Sequence, residues 1–201
     1  FAEEQLLERL VMTGSEALAA SVLVSVAGIW LGVLLYKVRI LALATEPWVA
    51  AVAAAPVVLA YPLFLVIFGR SAATIIAMGF VAGLAPVVLK TLEGLKGVRK
   101  SLINVGLSYN LTPAQQFWKI EFPAAIPTIF VGVRLGLVFA LINLIGVEFL
   151  INFGGLGQLI NDLAERYDLA GVFATIVFVT LVSVVIFAAL ERMERWFRPG
   201  R

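Results

Sequence analysis

The sequence predicts an all-α, polytopic membrane protein with five membrane-crossing helices. The first observation is composition: 62% of the 201 residues are hydrophobic, 14% are charged, and the mean hydropathy is +1.03. Soluble domains are about half apolar and a quarter charged. The second observation is a series of apolar runs, each close to the roughly 20 residues that a helix needs to cross a bilayer. The predicted spans are 17–36, 48–68, 72–89, 126–147 and 171–190.

Composition also excludes several functions. The chain has no cysteine and no histidine, so disulfides, thiolate or imidazole metal sites, and Ser–His or Cys–His nucleophiles are ruled out. We expect neither a metal nor a cofactor. The net charge of +2 is too small to indicate a nucleic-acid partner.

Residues 1–14 predict a separate amphipathic helix ahead of the first span. Leu6, Leu7, Leu10 and Val11 share one helical face, and the glutamates of this segment lie away from it. Such a helix is typical of a membrane surface. Gly14 is expected to end it and Ser15 to cap the first span. A transmembrane domain of residues 15–201 then follows.

The second span, 48–68, is expected to open at Glu46–Pro47 and contains Pro56 and Pro62. Proline removes backbone hydrogen bonds, so this helix should be kinked or partly unwound. The sequence leaves open whether it lines a cavity or packs as a kinked helix.

Polar residues in and after the fourth span mark a possible pathway. Arg134 and Asn143 lie within the span, and an intramembrane arginine must face protein, water or headgroups. Glu148 opens a long connection with Gly154, Gly155 and Gly157. Glu148 would either contact substrate or cap a re-entrant Gly-rich turn, and the second role is preferred.

The distribution of basic residues predicts the orientation. If five spans alternate sides, one side receives 11 lysines and arginines and the other receives 3, with Arg134 inside a span. The positive-inside rule then places loop 91–125 and the C-terminus in the cytoplasm and segment 1–14 outside. Because the chain begins outside at Phe1, a sixth, N-terminal span is expected to precede it.

Within that loop, residues 101–123 predict two short helices. Asn110 is suited to end the first, since asparagine tolerates the left-handed conformation. Thr112, Pro113 and Gln115 form the pattern of a capping box that opens the second, and Pro123 is expected to end it. Two readings of the exposed aromatics Phe117 and Trp118 stay open: docking into a groove of a partner, and rest on the lipid headgroups.

Residues 101–123 resemble the EAA motif of binding-protein-dependent ABC importer permeases: E-A-A, three residues, Gly, nine residues, Ile, any residue, Leu, Pro. Ile120 and Pro123 match, Phe122 and Asn110 replace Leu and Gly, and Asn104–Val105–Gly106 stands at E-A-A without the acidic residue. We call residues 101–123 the EAA-like segment. Further motifs of the family follow in the expected order from Thr91–Leu95 onward, and the Leu190–Trp196 ending resembles the nitrate/sulfonate/taurine branch in particular.

The resemblance implies a type I ABC importer permease in a bacterial plasma membrane. Its implied partners are a second permease subunit, as a homodimer in preference to a heterodimer, two cytoplasmic ATPases that hydrolyse ATP, and an extracytoplasmic solute-binding protein. The implied substrate is a small anion such as nitrate, a sulfonate or bicarbonate. The coupling interface would comprise Asn104, Val105, Gly106, Tyr109, Asn110, Gln115, Phe117, Trp118, Ile120 and Pro123. The alternatives are an ATPase-independent channel or scaffold and an intramembrane enzyme; the latter lacks an acid–base pair.

Overall fold

A computed structural model describes the backbone of residues 2–197 and the side chains of residues 6–192. Phe1 and residues 198–201, which include two arginines of the predicted basic tail, lie outside this range. Within residues 2–197 every regular element is a helix, so the all-α prediction is confirmed.

The helices form four long membrane-crossing candidates and one bent pair. Their bounds are α1 Ala2–Lys37, α2 Arg39–Ala54, a 3₁₀ turn Val57–Ala60, α3 Tyr61–Phe68, α4 Ala72–Lys96, α5 Lys100–Ser108, α6 Pro113–Gln116, a π turn Phe117–Glu121, α7 Phe122–Ile151, α8 Gly155–Glu165 and α9 Leu169–Phe197. Four stretches are long and apolar enough to span a bilayer: Leu6–Lys37, Ala72–Lys96, Pro113–Ile151 and Leu169–Arg192. Helix α2 and residues 57–68 meet at 92° and make a fifth span if the pair crosses.

Packing indicates that the bent pair does lead from one end of the helix set to the other. Ala42 of α2 packs with Val88 and Leu92 toward the C-terminal end of α4. Tyr61, at the start of α3, instead packs against the cluster around Ile75 at the N-terminal end of α4. Since these contacts lie toward opposite ends of the single helix α4, the bent pair extends along most of the length of α4. The break after Ala54, next to Pro56, confirms the predicted interruption.

The predicted end of the first helix at Gly14 is wrong. Helix α1 continues without a break from Ala2 to Lys37, and the Ser15 hydroxyl donates to the Met12 carbonyl instead of capping a new helix. A glycine costs about 1 kcal/mol inside a helix, which a long packed helix can absorb. Thr13 and Glu16 on either side of Gly14 are both buried. Thr13 hydrogen-bonds Glu148 and Leu156, so this part of α1 is packed against other helices.

Three further helix bounds differ from prediction. Helix α2 begins at Arg39 and carries Pro47 in its interior, and α4 continues past Leu89 to Lys96 with a Lys90–Glu93 ion pair of 2.7 Å. Pro123 lies in the first turn of α7 and does not end a helix. Its missing N–H is tolerated because the ladder has already changed register: the Phe122 N–H bonds the Phe117 carbonyl five residues back.

The centre of the molecule is the crossing of α4 and α7, with α1 packed over both. Gly83 of α4 meets Gly136 of α7, and a methyl group added to Gly83 would lie 2.5 Å from the Gly136 carbonyl oxygen. Val24 of α1, fully buried, closes this contact from the third helix. Small residues allow such close approach, and in lipid this packing drives helix association.

Replacing Gly83 with valine should therefore destabilise the protein, by about 1–3 kcal/mol, because the added side chain collides with backbone and cannot be relieved by a rotamer change. Thermal unfolding in detergent, followed by size-exclusion elution, measures the effect.

Gly14→Val is the matched control, since a methyl group there meets nothing within 4 Å. Glycine and valine differ in helix propensity by only a few tenths of a kcal/mol. Equal melting temperatures for the two variants would contradict the close crossing.

Candidate functional site

The EAA-like segment forms two helical pieces joined at a tight turn, as predicted. Asn110 adopts the left-handed conformation with φ 51° after α5. Thr112 then opens α6 with both hydrogen bonds of a capping box: its hydroxyl accepts from the Gln115 N–H, and the Gln115 side chain accepts from the Thr112 N–H. Local sequence signals therefore determine this turn.

A buried glutamine joins the two pieces. The Gln116 side chain, 6% exposed, donates to the Ile103 carbonyl at 3.1 Å. It packs on Gly106, where an added methyl group would lie only 2.0 Å from its Oε1. No local pattern singles out Gln116, because its pairing with a small residue ten positions earlier arises only when the two helical pieces pack together. This joint holds α5 against the start of the α6–α7 helix.

The residues predicted for the coupling interface divide into an exposed and a buried set. Val105, Tyr109 and Trp118 are 50%, 78% and 62% exposed. Asn104, Asn110, Gln115 and Pro123 are also exposed, Ile120 is half-buried, and Gly106 and Phe117 are buried. The prediction that Phe117 is exposed is wrong.

Phe117 instead anchors the segment to the membrane helices. Its ring packs in a cluster with Leu95, Ala125 and Ile129. The Lys37 ammonium lies 4.5 Å from the ring centroid, within the range of a cation–π contact. A groove of about 580 Å³ between α1 and α5 runs beside this ring. The aromatic side chain thus fixes the segment, while Trp118 next to it stays available.

A second polar site lies where the N-terminal part of α1 meets the C-terminal end of α7, far from the EAA-like segment. We call this site the polar cluster; it comprises Thr13, Glu16, Glu148 and the N–H groups of Leu156 and Gly157. Glu148, fully buried, accepts from the Thr13 hydroxyl at 2.8 Å and from the Gly157 N–H at 2.8 Å. The Thr13 hydroxyl in turn accepts from the Leu156 N–H at 2.8 Å. Glu148 therefore serves the first turn of α8, where orphan N–H groups and the helix dipole favour a carboxylate.

The same arrangement explains the glycines after α7. A methyl group on Gly155 would lie 2.2 Å from Glu148 Oε1, and Gly155 has φ 71°. Only glycine combines this close approach with the left-handed backbone. Glu16 lies beside Glu148 and is 4% exposed, so α1 contributes a second buried carboxyl group to the cluster.

An ion pair flanks the polar cluster on the outside of α8. Arg9 of α1 donates to Gln158 at 2.5 Å and to Asp162 at 3.2 Å. Its side chain is about a quarter exposed, so the main consequence is geometric: α1 is tied to α8 at two levels, one buried and one at the surface.

The two polar residues predicted within the fourth span lie apart from both sites. The Arg134 guanidinium lies 5.2 Å from the centre of the Phe187 ring of α9. Asn143 donates to the Phe139 carbonyl of its own helix at 2.9 Å. Arg134 thus faces protein, which was one of its predicted environments.

These helices and their order define a membrane-spanning protein with the type I ABC importer permease fold. A chain of the MetNI methionine ABC transporter, from inward facing conformations, superposes with a TM-score of 0.82 at 21% identity and covers 98% of both chains. The chain belongs to the family described as binding-protein-dependent transport system inner membrane component, which matches residues 25–199. It is therefore a multi-pass inner membrane protein of that family.

Curated relatives agree with the family and with the branch predicted from motifs. The formylaminopyrimidine transport permease of Halalkalibacterium halodurans is 27% identical over 88% of this chain and 70% of its own length. The nitrate import permease of Synechocystis is 26% identical over 88% of this chain and 64% of its own. The taurine transport system permease of Escherichia coli is 29% identical over 70% of this chain and 52% of its own. The chain thus spans between about half and seven tenths of the length of these relatives.

Thr13→Val should destabilise the protein by about 1–3 kcal/mol, because it leaves the Leu156 N–H and the Glu148 carboxylate each short of a buried hydrogen bond while preserving shape. Thermal unfolding in detergent measures the change.

Thr180→Val is the control, since its exposed hydroxyl donates only to the Ile176 carbonyl one turn back. A melting temperature for Thr13→Val as high as that of the control would show that the polar cluster contributes nothing to stability.

Proposed function

We propose that the chain is the permease subunit of an ATP-driven importer, in which the EAA-like segment docks into a cytoplasmic ATPase. Two such subunits, by preference identical, would form the pathway. Two ATPases would bind on the cytoplasmic side and a solute-binding protein on the other. Family membership supports the class. The 11-to-3 distribution of basic residues supports the cytoplasmic location of loop 91–125.

The observation that supports the coupling role is that α5 is packed on one face and exposed on the other. Its apolar face is exposed at Val105 and Tyr109, yet its other face is fixed through Gly106 and Gln116 to a helix that continues for 39 residues, from Pro113 to Ile151. A partner that moved α5 would therefore move a membrane-spanning helix with it. Short helices with exposed apolar anchors are typical of docking into a groove.

The alternative for this surface is rest on the lipid headgroups, where tryptophan and lysine are also common. The two readings differ in what tyrosine truncation does. A headgroup contact would lose little when Tyr109 is shortened, whereas a central aromatic anchor of a protein interface costs more than about 2 kcal/mol.

Tyr109→Ala should therefore weaken binding of the ATPase by about thirtyfold or more without lowering the melting temperature of the permease. The measurement is titration of the purified ATPase against the permease in nanodiscs. The matched control is Tyr167→Ala, since Tyr167 is 89% exposed but lies between α8 and α9, at the other end of the molecule.

Unchanged ATPase affinity for Tyr109→Ala would reject the docking role in favour of the headgroup reading. Failure of the wild-type chain to bind any ATPase of its own transport system would favour a self-sufficient channel or scaffold.

We further propose a small anion as substrate, supported by the nitrate and taurine relatives. The formylaminopyrimidine relative supports a different class, a heteroaromatic solute. The decisive experiment is a thermal-shift screen of the solute-binding protein that assembles with this chain. Stabilisation by nitrate, taurine or bicarbonate is the expected result, and stabilisation only by a formylaminopyrimidine would reject the anion class.

A further inference from the structure

The last turn of α1 forms a distinct joint with the π turn that links α6 to α7. The Tyr36 hydroxyl donates to Glu121 Oε2 at 3.1 Å. The Tyr36 ring also stacks on Phe117, with centroids 6.5 Å apart and 30° between the ring planes. Together with the Lys37 contact described above, these interactions bind two consecutive residues of α1 to the two ends of one π turn.

The location of the joint within a π turn is significant. Such turns are rare, occur as single turns inside α-helices, and are frequent at functional sites. This one lies inside the EAA-like segment and links α6 to α7. A displacement of α5 and α6 therefore reaches the membrane helices by two routes: along the backbone through the π turn, and sideways into α1.

Helix α1 then carries the contact across the molecule. It is unbroken from Ala2 to Lys37, and 23 residues separate Thr13 from Tyr36, a distance of about 35 Å along a helix. At its other end, Thr13 donates to Glu148 of α7 in the polar cluster. Arg9 binds Gln158 and Asp162 of α8. One end of α1 is thus bound to the EAA-like segment itself, and the other end is bound to α7 and α8.

We propose that Tyr36 and Glu121 are positioning residues that transmit movement of the EAA-like segment through α1 to the polar cluster at α8. The proposal rests on the proposed function, since it takes an ATPase as the source of the movement. Neither residue belongs to the docking surface. Their role is to make α1 follow the segment, so that the α8 end responds to events at the opposite membrane face.

The test uses the whole complex of permease, ATPase and binding protein in nanodiscs. The natural absence of cysteine allows a single label at Ala164→Cys, an exposed position on α8, and in a second preparation at Ser101→Cys, an exposed position on α5. The readout is the change in label fluorescence on addition of MgATP with vanadate. Binding and hydrolysis by the ATPase are recorded in parallel.

Tyr36→Phe and Glu121→Leu should each reduce the nucleotide response at residue 164 by about threefold or more, a size typical of mutations along a coupling route. The response at residue 101 and the ATPase affinity should stay unchanged. Because both variants remove the same hydrogen bond, the double variant should lose no more than either single one. Tyr61→Phe, the same chemical change in α3, should have no effect.

A wild-type response at residue 164 that persists undiminished in both variants would overturn the proposal while leaving the proposed function intact. Additive losses in the double variant would also overturn it, since they would show two independent structural defects. If the wild-type complex showed no nucleotide response even at residue 101, the proposed function would fail and this inference with it.

Discussion

The contact between Gly83 and Gly136 fixes the relative position of α4 and α7, and the rest of the structure depends on it. Helices in a bilayer gain nothing from hiding apolar surface, because the lipid is as apolar as they are. Their association needs close packing, and here two backbones approach to a distance that one methyl group would prevent. Val24 of α1 closes the same contact. Three helices are thereby held at one point, near the middle of α4 and of α7.

That crossing also determines where the two sites lie. Helix α7 continues at one end into the EAA-like segment and at the other into the Glu148 contact with α8. Helix α1 runs beside it and touches both ends, through Tyr36 and through Thr13. The exposed surface of α5 and the buried polar cluster are therefore connected through α1 and α7, although neither contacts the other.

Local signals predicted much of this structure, and long-range contacts account for what they missed. The apolar runs predicted the spans, and the Thr112 capping box and Asn110 predicted the turn, since each depends on residues within a few positions. The continuation of α1 through Gly14 was not predicted, because the hydrogen-bond partners of the neighbouring Thr13 lie more than 130 residues away in the sequence. Hydrophobic periodicity reflects only nearby positions in the sequence and does not reveal such distant partners. The buried position of Phe117 was missed for the same reason, since its neighbours come from α4 and α7.

The departure from the EAA pattern can now be assigned to one of two separable parts of the motif. Gly106, at the second alanine position, is buried against Gln116 with no room for a larger side chain, so this part of the motif serves the internal joint. Asn104, at the acidic position, is exposed, and its carbonyl accepts from the Ser108 hydroxyl. Loss of the carboxylate at residue 104 therefore costs the fold nothing. Under the proposed function, the consequence of this loss would fall on the ATPase that docks on that surface.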